Sequence, residues 1–192
     1  ASGQCCHAEG SQTTASGYYS HAEGRSTKST GMCSHAEGAD TKSTGMCSHA
    51  EGDSTAAKGS CSHAEGENTT ASNGCSHAEG YGTTASGMYS HAEGYGTTTN
   101  GYCSHVSGYY TIALGQYSFV TGTYNIEDTE NKFAHIIGNG TSDARSNALA
   151  IDWNGNIYVG NSEIGVSVLD LLNRIVTLEN AIASNKVLVT DD

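Results

Sequence analysis

The residue types that carry metal and acid–base chemistry recur in this sequence at one fixed interval. His7, His21, His35, His49, His63, His77, His91 and His105 stand fourteen residues apart without a slip. Seven of them are followed two residues later by a glutamate: Glu9, Glu23, Glu37, Glu51, Glu65, Glu79 and Glu93. Cys5, Cys33, Cys47, Cys61, Cys75 and Cys103 each lie two residues before a histidine, and Tyr19, Tyr89 and Tyr117 fill the same column in other repeats. Metal binding or nucleophilic catalysis is the chemistry these types invite. A zinc-protease helix needs His-Glu-x-x-His, with both histidines on one face a turn apart; the order and spacing here are different. Ser, His and Glu co-occur in most repeats, but adjacent residues on alternating faces do not form a nucleophile–base–orienter chain.

What must position these residues is the repeat itself. Each unit divides into two halves of seven, Ser-His-Ala-Glu-Gly-x-x and, for example, Thr83-Thr84-Ala85-Ser86-Gly87-x-x. Alternation with period two is strand periodicity. Ser20, Ala22 and Gly24 face a narrow interior, and His21 and Glu23 face away from it. The glycines are expected to turn the chain at positive φ, and Asn73, replacing one second-half glycine, supports such a corner. Two strands and two corners per unit describe a flattened parallel β-solenoid, one coil per repeat, with coils ~4.8 Å apart. Eight coils make a rod on the order of 40 Å long.

Larger apolar residues enter at Val106, Ile112, Leu114 and Val120, which widens the roll or brings in a neighbouring chain. The polar stretch 123–133 is expected to be a connector. Residues 147–160 read as a hairpin about Asn154-Gly155, with Trp153 packing on it. Val168, Leu171, Ile175, Leu178 and Ile182 occupy heptad a and d positions, a coiled-coil seam. It is too short to be stable as a lone helix. The run from Arg174 to Glu179 follows the Arg-h-x-x-h-Glu pattern of three-stranded coiled coils, so a homotrimer is expected. The expected divisions are 1–122 (repeats), 123–165 (connector and hairpin module), 166–185 (trimeric coiled coil) and 186–192 (tail).

Composition narrows the function classes. The chain has 192 residues, 25 glycines and no proline, which fits neither collagen nor low-complexity disorder. Its small side chains bury little apolar area each, which again favours oligomers. A net charge of −12 with only 8 Lys+Arg argues against nucleic acid and anionic membranes as partners. No run of apolar residues is long enough to span a bilayer. The first residues do not read as a secretory signal, and because the chain begins inside a repeat it is expected to be a piece of something longer.

The 14-residue Ser-x-Ala-x-Gly repeats of residues 1–122 resemble the YadA-like head repeats of trimeric adhesins. The block YNIEDTENKFAHIIGNGTSDARSNALAIDWNGNIYVG (124–160) is similar to a module of tail-fibre and appendage proteins from phages and prophages of Gram-positive bacteria. There it follows Ser-His-Ala-Glu-Gly repeats and often precedes a self-cleaving chaperone domain. The resemblance implies an all-β protein, a left-handed parallel β-roll packed as a homotrimer, with a hairpin module and a short trimeric coiled coil behind it. It implies a structural, adhesive fibre segment in a virion tail or appendage, with other tail or baseplate proteins and a host-surface glycan or protein as partners. Within residues 1–192 the coiled coil is followed by neither a membrane barrel nor a chaperone domain, and with residue 192 as the native end the phage reading is the one expected. A bacterial surface adhesin is the alternative, and a glycan-hydrolysing tailspike or part of a self-cleaving fibre the second. Glycan hydrolysis needs a distinct carboxylate pair, which a uniform glutamate ladder does not offer, so no enzyme is expected.

For the ladder, His21/Glu23, His35/Glu37, His49/Glu51, His63/Glu65, His77/Glu79 and His91/Glu93 read first as a polar face in which imidazoles hydrogen-bond carboxylates. On this reading protonated histidines offset the glutamates and confer resistance to mild acid. No metal or cofactor is expected from it. Should the face meet a three-fold axis, a cluster of three histidines becomes the sharper alternative. The cysteines read as buried or half-buried free thiols at a corner. Exposed Tyr81, Tyr95, Tyr109 and Tyr110 are the candidate binding residues, an aromatic stripe suited to glycan or protein surfaces.

Overall fold

A computed structural model describes residues 1–160 and 166–189. Each 14-residue unit is one coil of a β-solenoid, with a five-residue strand starting at the repeat histidine and a two-residue strand in a second sheet. The long strands are His7–Ser11, His21–Arg25, His35–Ala39, His49–Asp53, His63–Glu67, His77–Tyr81, His91–Tyr95, His105–Tyr109 and Phe119–Thr123. They pair in parallel and in register, His on His, Ala on Ala and Glu on Glu. The short strands, from Thr14–Ala15 to Ile112–Ala113, form an eight-stranded sheet.

The interior is built from columns of small side chains. Ala22, Ala36, Ala50, Ala64, Ala78 and Ala92 are fully buried, as are Ala57, Ala71 and Ala85 of the short strands. Serines close one corner from inside: Ser34 Oγ donates to Gly31 O and Ser48 Oγ to Gly45 O, both at 2.7 Å. Cys6, which replaces a serine in this column, donates its thiol to Gly3 O at 2.8 Å. Larger side chains fill the C-terminal coils, where Val106, Val120, Ile136 and Phe133 are buried.

The corners differ from expectation. Second-half glycines and Asn73 do not take positive φ. That conformation falls on the Cys/Tyr column (Cys33 and Cys47 54°, Tyr89 58°), on residues such as Ser26 (57°), and on first-half glycines such as Gly24 (107°). Gly31 is glycine for a different reason: a Cβ there would overlap the carbonyl of Gly45 in the next coil. Asn73 is exposed where Gly31, Gly45 and Gly59 are buried. Its carbonyl keeps the corner bond from Ser76 Oγ at 2.7 Å, but its N–H donates to Ser76 Oγ at 3.3 Å, and Gly74 N–H donates to Asn73 Oδ1 at 2.8 Å. The cysteines are also not buried. All seven are free, and the six in the repeat column are exposed, because a left-handed corner residue projects from the coil rather than into it.

The coils continue past 122. Phe133–Asn139 adds a tenth parallel strand, with His135 on Phe119, Ile136 on Val120 and Gly138 on Gly122. The polar connector is thus mostly the loop of one enlarged coil. Asn125 stands in for a short strand: Oδ1 accepts from Ile112 N at 2.7 Å and Nδ2 donates to Ile112 O at 2.9 Å. The Asp128 carboxylate accepts from the backbone N–H of Lys132 (3.0 Å) and Phe133 (2.7 Å), which starts the tenth strand.

Asn147–Asp152 then runs antiparallel to that strand and to Ile157–Val159, the hairpin expected from Asn154-Gly155. Trp153 Nε1 donates to Asn131 O at 2.8 Å, tying hairpin to loop. Val166–Ser167 is a short edge strand, and a helix follows at Val168–Val189. Ser167 Oγ accepts from Leu169 N at 3.2 Å and Asp170 lies in the first turn, a Ser-x-x-Asp helix start. The helix therefore passes the expected end at 185; residues 190–192 of the expected tail, and 161–165 of the hairpin module, lie outside the described residues.

Candidate functional site

Parallel in-register pairing turns each repeated side chain into a column with the inter-strand spacing. The imidazoles from His21 to His91 stack with centroids 4.7 to 4.9 Å apart and planes within 14° of parallel. Beyond them, His105, Phe119 and His135 extend the column edge-on or tilted. His135 was missed in the sequence because the enlarged loop puts it sixteen residues after Phe119 rather than fourteen; the His-x-x-Gly match to Phe119-x-x-Gly was the available signal.

From His49 onward, the imidazole meets the carboxylate of the preceding coil rather than that of its own. Nε2 of His49, His63, His77, His91 and His105 lies 3.5, 3.4, 3.3, 3.3 and 3.5 Å from Glu37, Glu51, Glu65, Glu79 and Glu93. Only at the N-terminal end do the partners share a coil, His7 with Glu9 (3.5 Å) and His21 with Glu23 (3.8 Å). Among these cross-coil pairs only His77–Glu65 is aligned as a hydrogen bond. The other four Nε2 atoms are shielded from solvent without a well-aligned partner. Beside the column runs a groove of about 570 Å³, lined by Glu9, Glu23, Glu37 and Glu51 and their following glycines. The serines cannot join this face, since they point inward to the glycine carbonyls.

At five positions of the ladder the shifts run against charge compensation, three histidines down and two glutamates up. Burial, then neighbouring imidazoles, push His49 and His91 below the usual histidine range; burial and His21 do the same to His35. Glu37 is pushed up to about 7 by hydrogen bonding with Glu51, burial, and hydrogen bonding with Glu23. Glu79 is pushed up to about 7 by burial and by hydrogen bonding with Glu65 and Glu93. Burial also pushes Glu65 up, but hydrogen bonds with Glu79 and Glu51, the His63 charge and a hydrogen bond with His77 together hold Glu65 low.

A raised glutamate pKa stabilises the fold in acid, and that contribution is lost as pH rises from 4.5 to about 7. The lowered histidines run the other way, their contribution falling away below 6.5. The glutamate part can be isolated in chelator-treated protein. Glu37→Gln with Glu79→Gln is expected to melt with the wild type near pH 4.5 and above it at pH 8. A gap that stays constant across that range would count against shared protons in the ladder.

The second column is aromatic. Tyr81 stacks on Tyr95 (4.7 Å) and Tyr95 on Tyr109 (5.1 Å). Tyr110 meets Tyr95 and Tyr109 edge-on and stacks on Tyr124 at 5.2 Å. The four expected residues are thus brought together, and Tyr124, fourteen residues after Tyr110, joins them. Arg145 locks the end, donating to Tyr110 O and Asn125 O at 3.1 Å with its guanidinium over the Tyr124 ring. Within the stack the ring faces largely cover one another, so the stripe presents edges and hydroxyls rather than open platforms. A separate edge-to-face series, Tyr89–Tyr102–Tyr117, lies at the Cys/Tyr corner.

The described chain is a β-solenoid with 14-residue coils, followed by antiparallel strands and one helix. Set against known proteins, it matches no family model and no curated protein. Among the described residues, no helix is long and apolar enough to cross a membrane.

Proposed function

We propose that the protein is a segment of a trimeric fibre, in a phage tail or appendage, that supports or mediates attachment to the host surface. Three left-handed solenoids lie side by side and the helix forms a three-stranded coiled coil. The helix is the observation that carries this reading. Leu171, Ile175, Leu178 and Ile182 are 43 to 62% exposed in the single chain, an apolar seam at heptad spacing with no cover of its own. The solenoid ahead of it, stiffened by backbone pairing at each coil, suits a spacer more than a reaction vessel. Its tyrosine stripe offers hydroxyls at strand spacing to a polar glycan or a protein, and three copies raise a weak contact through effective concentration.

The full chain is expected to have a solution mass of three chains by light scattering. Labelled protein is expected to stay on Gram-positive host cells. Replacing Tyr81, Tyr95 and Tyr109 by serine should reduce that retention roughly tenfold, the loss of ~1.4 kcal/mol, at unchanged mass. A monomer in solution would sink the fibre reading; undiminished retention of the tyrosine variant would move attachment off the stripe.

A further inference from the structure

We propose that the His/Glu column binds divalent transition-metal ions, zinc or its neighbours, in overlapping sites that clamp successive coils within one chain. Four groups of three donors bring one ligand atom from each residue within 4.8 Å of the others: Glu23/His35/Glu37, Glu37/His49/Glu51, His63/Glu65/His77 and His77/Glu79/His91. Each spans two successive coils. The column needs no second protomer to form them, so the assignment stands apart from the fibre reading.

Three features point to a metal rather than a solvated polar stripe. First, Nε2 of His35, His49, His63 and His91 is shielded from water yet has no well-aligned hydrogen-bond partner, an expensive arrangement unless another ligand takes the lone pair. Second, the cross-coil separations fit: His77 to Glu65 and His91 to Glu79 are both 3.3 Å. With bonds of about 2.0–2.1 Å to nitrogen and oxygen, a tetrahedral ion has donor–donor edges of about 3.3–3.4 Å. The longer edges close by rotation of the glutamates, whose side chains are about a third exposed, while the stacked imidazoles keep their places. Third, the ligating form of imidazole is neutral, and burial with neighbouring imidazoles favours that form at His49 and His91.

Donor chemistry sets the class of ion. Mixed imidazole and carboxylate suit zinc, nickel, cobalt or copper, whereas calcium and magnesium prefer all-oxygen cages. Ion charge would also neutralise the glutamate column, so coils that repel through Glu37, Glu51, Glu65 and Glu79 become cross-linked. Topology sets the capacity. His77 belongs to two groups but turns one Nε2 toward the carboxylates, so those two sites exclude each other. Glu37 is likewise shared, although its two oxygens can bridge. Saturation is therefore two ions per chain, or three where Glu37 bridges, and not one per histidine.

The test is zinc titration of the tag-free full chain after chelator treatment, read by calorimetry and by metal analysis after dialysis. Two to three ions per chain and a raised melting temperature are expected, with no matching effect of calcium. His77→Gln removes both two-histidine groups and should lower bound zinc by one per chain. His7→Gln, outside all four groups, should leave it unchanged. Should His77→Gln not fold by circular dichroism, Glu65→Gln with Glu79→Gln removes the carboxylate from the same two groups and should show the same loss. Zinc content unaffected in the folded His77 or glutamate variant, an equal loss in His7→Gln, or equal binding of calcium would each overturn the assignment.

Discussion

Replacing Gly45 by alanine is expected to destabilise the solenoid by about 3–5 kcal/mol, in the range reserved for severe core lesions. A Cβ at this position would overlap the carbonyl group of Gly59 in the next coil and lie close against Lys58 O. Those are backbone atoms, so no side chain can rotate out of the way. The coils must part locally, and parting loosens the bonds from Thr44 N to Ala57 O (2.9 Å) and Gly45 N to Ala57 O (3.4 Å), each worth ~1 kcal/mol net. Cys47→Gly, two residues away, is the contrasting variant. Cys47 sits at φ 54° and is exposed, so glycine relieves a left-handed strain of about 1–2 kcal/mol while adding about 0.5–1 kcal/mol of unfolded-state entropy. Its net effect should lie between zero and about 1.5 kcal/mol of stabilisation. Denaturant unfolding of the two variants measures both, and equal losses would mean that spacing between coils does not govern this corner. Asn73→Gly should stabilise, since without a Cβ this N–H can turn from Ser76 Oγ to the next coil, as those of Gly31, Gly45 and Gly59 do.

That contrast also shows where the sequence was legible. Fourteen-residue spacing and period-two alternation carried the coil, the inward Ala and Ser columns and the outward His and Glu columns, because in-register parallel pairing leaves those placements no freedom. Corner conformation was not legible from residue type. Glycine serves at Gly24 both for positive φ and for the close approach of Gly38, and at Gly31 for close approach alone; only the stacking of coils separates the two. Cysteine at a left-handed corner runs against ordinary preference, so Cys33 and Cys47 read as packing residues. Proton placement was hidden for a similar reason: His49 meets Glu37, not Glu51, and that offset of one coil arises from side-chain direction. The tenth strand was missed because Asn125 and Asp128 replace repeat residues with side-chain amide and carboxylate bonds that have no periodic signature.

Ile175→Asp combined with Leu178→Asp is expected to convert the proposed trimer to monomers while leaving the solenoid folded. Ile175 and Leu178 are 50% and 62% exposed in one chain, so the helix gains nothing from them until other chains arrive. Burying each such side chain is worth about 1.5–3 kcal/mol. Two per chain in three chains therefore give on the order of 10 kcal/mol or more to the assembly, comparable to the whole cost of bringing chains together. Carboxylates in their place would set three like charges at each level of a dry seam. The solenoid should not notice, because its coils are joined by their own backbone bonds and none of these residues touches the alanine and serine columns. A lone helix of 22 residues is marginal in water, so the variant should lose helical signal as it loses mass. Light scattering and circular dichroism on one sample separate the outcomes. A fall to one-chain mass with retained β signal places the assembly energy in the seam. Unchanged mass with lost helical signal places it on the solenoid faces, where the His/Glu column or the tyrosine stripe would then meet its copies.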